Sequence, residues 1–119
     1  MLPIKPGQPP ANLDAWGTVA DLGSTILEGE VKAFGKMEHG APDAPVSCGW
    51  FSCTQGVFRM VYPFTEHAVV VEGTVTLTDE TTGQSQTYQP GDAWFIQKGA
   101  PILWRVETPV FTKNYFAVV

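Results

Sequence analysis

From Arg59 to Asp79 the chain reads RMVYPFTEHAVVVEGTVTLTD, and from Gln89 to Trp104 it reads QPGDAWFIQKGAPILW. Short runs rich in Val, Thr and aromatic residues are broken by Pro63, by Gly73, by Pro90-Gly91-Asp92 and by Lys98-Gly99. Runs of this kind, bounded by the residues that set turn geometry, specify strands. One acid, Glu66, stands in an otherwise apolar stretch, where a barrel would hold a single buried carboxyl. Val69-Val70-Val71 is a continuous apolar run and predicts a strand covered on both faces.

Outward from this stretch the pattern continues. Strands are predicted at 31–34, 48–53, 57–62, 67–72, 74–78, 84–88, 93–97, 102–106 and 110–118, with Gly or Pro in nearly every gap between them. No window carries a helical period of three turns, and residues 13–22 form at most a short turn. Regular short strands separated by such gaps mean a sandwich or barrel, so the fold class is all-β. Residues 1–24 read as an extended, Pro-rich N-terminal arm and lead-in, and residues 25–119 as a single domain.

The 119 residues suffice for one core, and 44% hydrophobic against 16% charged residues gives that core much to bury. The net charge of −5, with only seven Lys and Arg, offers no footprint for a phosphate backbone or an anionic membrane surface. No apolar run approaches the ~20 residues that span a bilayer, and Met1–Pro10 lacks the apolar segment of a signal peptide. A cytoplasmic location is the expectation. Cys48 and Cys53 are too few for a zinc site, and on one strand they face opposite sides, so both are expected as free thiols.

Taken in order, Gly49-Trp50, Gly56 with Phe58, Tyr62, Glu66, Glu72-Gly73, Pro90-Gly91-Asp92, Lys98-Gly99, Trp104 with Val106, and Pro109-Val110 with Lys113 and Tyr115 form a recognisable series. In them the chain resembles the cupin superfamily, and within it the small single-domain group related to the cupin domain of (S)-ureidoglycine aminohydrolase. The resemblance covers about residues 25–119. It implies a double-stranded β-helix, or jelly-roll barrel. It also implies a metal held by three histidines and one glutamate. Glu66 matches the glutamate, but the histidine positions fall at Arg59, Val61 and Ile102. A transition metal needs three or four converging N, O or S donors, so no metal and no other cofactor is expected. His67 neighbours Glu66 and therefore points to the opposite face; only a one-residue register slip would reverse this.

Strand parity gives an expected inner lining. If Glu66 faces inward, so do Ala68 and Val70, and by the superfamily register Val57, Arg59 and Val61 join them, with Ile102, Trp104 and Val106 opposite. Glu66 is then either an acid/base tuned by burial and by Arg59, or the counter-ion of Arg59 in a pair that specifies strand register. Arg59 would anchor a carboxylate, while Trp104 and Trp50 would present flat faces to a small ligand. Tyr62 and Lys113 match the family pattern and are further candidate ligand-binding residues, with their facing open. The expected function is small-molecule binding in a pocket around Glu66 and Arg59. The alternative is hydrolysis of a small nitrogen-containing metabolite, as by ureidoglycine aminohydrolase, with Glu66 as acid/base. A homodimer is expected from the resemblance, the Pro-rich arm and an apolar strand set that one barrel cannot cover alone.

Overall fold

The computed structural model describes residues 1–119 and contains strands only. They are β1 (Asp14–Thr18), β2 (Thr25–Glu28), β3 (Lys32–His39), β4 (Val46–Val61), β5 (Thr65–Glu72), β6 (Val75–Asp79), β7 (Ser85–Tyr88), β8 (Ala93–Ile96) and β9 (Pro101–Val118). No helix is long and apolar enough to cross a membrane.

The organising unit is the long antiparallel ribbon of β4 and β9, paired from Val46↔Val118 to Val61↔Pro101. Its first half, with β3 and β1 on one side and β5 and β8 on the other, builds one sheet. Its second half, with β2 on one side and β6 and β7 on the other, builds the second. The ribbon bends where the ladder skips between Thr54↔Val110 and Gly56↔Val106. This is the jelly-roll barrel expected from the sequence. The sequence divides each long strand in two, at Gln55-Gly56 and at Thr108-Pro109. Both are bends rather than ends, because the two strands deform at the same level and stay paired on either side.

Two glycines make the bend possible. A Cβ on Gly56 would lie 2.4 Å from the Glu28 carbonyl oxygen and 2.5 Å from a Val31 methyl. A Cβ on Gly73 (φ 83°) would lie 2.2 Å from the Val110 carbonyl oxygen, where β5 hands over to β6. Neither position tolerates a side chain without moving backbone.

The lead-in is more ordered than an arm. β1 pairs with β3 through Asp14↔Gly35 and Ala15↔Phe34, and Val19 is buried at 2% exposure. The core between the sheets is aromatic. Trp104 stacks on Phe58 (5.1 Å between centroids, 22°) and meets Trp94 and Phe111 edge-on, each at 5.6 Å.

Candidate functional site

At one end the two sheets part around a cavity of about 600 Å³. Its walls come from Phe51, Phe58 and Met60 on β4 and from Trp104 and Tyr115 on β9. Its rim comes from Trp16, Val19 and Leu22 of the lead-in, Pro42 and Asp43 of the β3–β4 loop, and Pro63 and Phe64 of the β4–β5 loop. The segment read as an arm is therefore part of the pocket wall. Asp43 is exposed on the rim, which leaves Glu66 and Lys113 as the charged groups inside.

Glu66 has no exposed surface, as expected for the inner face of β5, where Ala68 and Val70 join it. Its partner is not Arg59. The ammonium of Lys113 on β9 donates to Glu66 Oε1 in a pair whose side chains are 7% and 0% exposed. Glu66 Oε2 accepts from the Tyr62 hydroxyl at 2.7 Å and from the Trp94 indole N–H at 2.9 Å. The carboxylate thus has both oxygens occupied, one by a cation and one by two neutral donors. A buried charge requires such full ligation.

Lys113 is enclosed by rings. Its Nζ lies 5.0 Å from the centroid of Trp104, 5.3 Å from Phe51 and Tyr115, 5.6 Å from Trp94 and 6.0 Å from Tyr62. The negative faces of aromatic rings favour a cation, which adds to the single carboxylate in holding charge here. Burial pushes the Tyr62 hydroxyl well above the ordinary tyrosine range, and the negative charge of Glu66 and the hydrogen bond to it act in the same direction. The nearby indole N–H groups of Trp94 and Trp104 oppose it. Trp104 Nε1 itself is buried without a partner in hydrogen-bonding geometry. Tyr115 is raised to about 12, first by burial and then by the charge of Glu66. The buried Cys53 thiol is likewise pushed up to about 12 by burial, with the Lys113 charge pulling the other way. Cys48 and Cys53 are both free.

Several expected site residues lie elsewhere. Arg59 is on the outer face of β4, where its guanidinium grips Glu80 at 2.5 and 2.9 Å. The hydrogen bond from Arg59 holds the Glu80 carboxyl below its usual range. Val61 shares that face at 64% exposure. The inward set is Phe58, Met60 and Tyr62, one residue out of step with the expected Val57, Arg59 and Val61. Trp50 is buried on the face opposite Phe51 and donates its indole N–H to Glu38 at 3.0 Å, outside the cavity. Trp104 lines the cavity, as expected. Tyr62 and Lys113, whose facing was open, both point at Glu66.

The register error has a physical origin, and the sequence held a signal against it. A one-residue slip exchanges the two faces of a strand, and the loop at 63–64 rather than the strand decides the phase. Between the alternatives, Phe58-Met60-Tyr62 is wholly apolar or aromatic, whereas Val57-Arg59-Val61 carries a guanidinium. The same test on β9 puts Lys113 in phase with Phe111, Tyr115 and Ala117. A lysine in an otherwise buried set is the signal that would have fixed the open facing of Lys113, whereas Trp94 was absent from the expected site.

The donor set does not suit a transition metal. The inward positions beside Glu66 are Phe58, Met60, Ile102 and Trp104, and nowhere do three His, Cys, Asp or Glu side chains come together. His67 is exposed on the outer face of β5, between Phe95 and Phe116 in register. Lys113 takes one oxygen of Glu66, and Tyr62 and Trp94 the other.

The sequence matches the EutQ-like cupin domain family over residues 40–115. The EutQ protein of Clostridium difficile superposes with a TM-score of 0.62 at 20% identity, over 74% of this chain and 68% of that one. A Pseudomonas syringae protein of unknown function in the DUF861 family superposes with a TM-score of 0.76 at 21% identity. That match covers 91% of this chain and 45% of the other, so this chain spans less than half of it. A cupin superfamily protein of Desulfitobacterium hafniense gives 0.60 at 11% identity, over 73% and 77%. No curated protein matches the sequence significantly. At these identities the likeness to the solved structures is one of fold.

Proposed function

The chain belongs to the EutQ-like cupin domain family, and we propose that its barrel binds a small, neutral, largely apolar molecule through a carbonyl oxygen held by Lys113. The observation that carries this reading is the distribution of free hydrogen-bonding capacity. Glu66 has both oxygens engaged, whereas Lys113 spends one of its three N–H groups on Glu66. What the cavity has to offer is therefore a donor. Because Glu66 already neutralises Lys113, a neutral acceptor leaves the site electrically balanced. A ligand carboxylate would add an uncompensated negative charge beside Glu66, at a desolvation cost of several kcal/mol. Phe51, Phe58, Trp104 and Tyr115 supply flat apolar walls for a planar body, and a volume near 600 Å³ is in the usual range for small-ligand pockets.

The test is calorimetric titration of the purified chain with benzamide, benzoate and benzylamine, which share one shape and differ in charge. Benzamide should bind most tightly. Tighter binding of the cation or the anion, or of none, overturns the reading.

The second reading is hydrolysis of a nitrogen-containing metabolite in the manner of ureidoglycine aminohydrolase, with Glu66 as acid/base. What favours it is the place of Glu66 in the cavity wall. Against it, no cluster of metal-ligating side chains surrounds the carboxylate. Release of ammonia from ureidoglycine, lost in Glu66→Gln, would establish it.

A further inference from the structure

Lys113 combines three features that no binding role requires together: a primary amine in the wall of a cavity, a carboxylate hydrogen-bonded directly to it, and a cage of rings around the nitrogen. We propose that Lys113 forms an imine with the carbonyl carbon of an aldehyde ligand. The inference rests on the carbonyl-binding reading above and names the substrate class of that same site.

The chemistry follows from the contacts. A carbonyl oxygen hydrogen-bonded to Lys113 Nζ brings its carbon within reach of that nitrogen. Glu66 Oε1 accepts a proton from the ammonium, which frees the nitrogen lone pair for attack. As the C–N bond forms, the carbonyl π electrons move to oxygen, which takes the proton held by Glu66. Glu66 then removes a second proton from the nitrogen of this carbinolamine and returns it to the hydroxyl, which leaves as water while the C=N bond forms. An ammonium and an aldehyde thus give an N-protonated imine and water, and Glu66 ends as it began. No oxidant, reductant or metal is involved.

The cage explains why the product is stable there. A protonated imine carries its positive charge on the same nitrogen as the starting ammonium. The rings of Trp104, Phe51 and Tyr115, with centroids 5.0–5.3 Å from Nζ, attract that charge in both states. Glu66 pairs with it in both states. Dehydration is favoured where water is scarce, and the apolar walls exclude it. The other lysines, Lys5, Lys32, Lys36 and Lys98, are all exposed and have no such surroundings. Lys32 pairs with Glu30 at 3.6 Å, with the lysine side chain 58% exposed and that of the glutamate 78%. A lysine amine in water is neutral in only about one molecule in 2,500 at pH 7, so a resident carboxylate base gives Lys113 a clear kinetic advantage.

The experiment incubates the full chain with benzaldehyde at pH 7, traps with cyanoborohydride, and locates the benzyl adduct by peptide mass mapping. Lys113 should be modified at least about tenfold faster than any of the four exposed lysines. Glu66→Gln should slow that trapping by about 10² or more, the size of a lost general acid–base. Lys113→Arg, which keeps a cation in the cage but no primary amine, should leave no adduct at this site. Modification spread evenly over the exposed lysines, or no adduct on a wild-type chain that binds benzamide, overturns the imine and leaves the binding reading intact. A chain that binds no benzamide yet is modified selectively at Lys113 overturns only the binding reading.

Discussion

Replacing Lys113 by Met should be the most damaging single change in the cavity. The side chain is 7% exposed and its ammonium is the cationic partner of a carboxylate with no exposed surface. Removing one partner of a buried pair costs about 3–5 kcal/mol, because the remaining charge is stranded. Two structural details place this case at the lower end. Glu66 keeps the Tyr62 hydroxyl at 2.7 Å and the Trp94 N–H at 2.9 Å, and Met fills most of the lysine volume within the ring cage. We therefore expect a loss of about 3 kcal/mol. With an m-value of about 1.5–2 kcal/mol/M in urea, that lowers the unfolding midpoint by roughly 1.5–2 M at pH 7. Glu66→Gln should cost less, about 1–3 kcal/mol, because the stranded ammonium still faces the aromatic rings and can donate to the amide oxygen. The double variant decides the matter. With neither charge present it should cost about as much as Glu66→Gln alone, so the singles will be strongly non-additive. A Lys113→Met loss below about 1 kcal/mol, or a double variant equal to the sum of the singles, would refute the view that these two side chains form one buried charge system.

Three further outcomes follow from the same geometry. Arg59→Ala should leave benzamide binding unchanged in the calorimeter, since its guanidinium grips Glu80 on the outer surface; a binding defect would mean that the register seen here is wrong. Raised tyrosine pKa values contribute stability that is complete below the ordinary value near 10 and is lost as pH climbs towards the folded values. With Tyr62 held well above that range and Tyr115 at about 12, at most the half-buried Tyr88 should ionise before alkaline unfolding, and tyrosinate absorbance from two or three tyrosines in a chain still folded by circular dichroism would contradict it. The homodimer expected from the sequence should give a dimeric mass by light scattering at micromolar concentration. The outer face of the first sheet exposes Phe95 at 65% and Phe116 at 47%, so Phe116→Asp should produce a monomer, and a monomeric wild type would end the proposal.

Strand content, turn positions and the barrel itself were legible in the sequence because they depend on local chemistry. Val69-Val70-Val71, Gly73 and Pro90-Gly91-Asp92 each act within a few residues of themselves. The burial of Glu66 was legible for the same reason, as was the phase of Ala68 and Val70 on its strand. Partner identity was not. Whether Arg59 or Lys113 meets Glu66 depends on which face each of three strands turns inward, and that phase is set where β4 turns into β5 and where β4 and β9 bend together at Gly56. Alternation within a strand is a local property, whereas the relative phase of two strands belongs to the closed barrel. A shift of one residue sent Arg59 outward to Glu80 and left Phe58, Met60 and Tyr62 in its place. It took the long-range pairing of β9 with both β4 and β5 to bring Lys113, 47 residues from Glu66, into the ring cage.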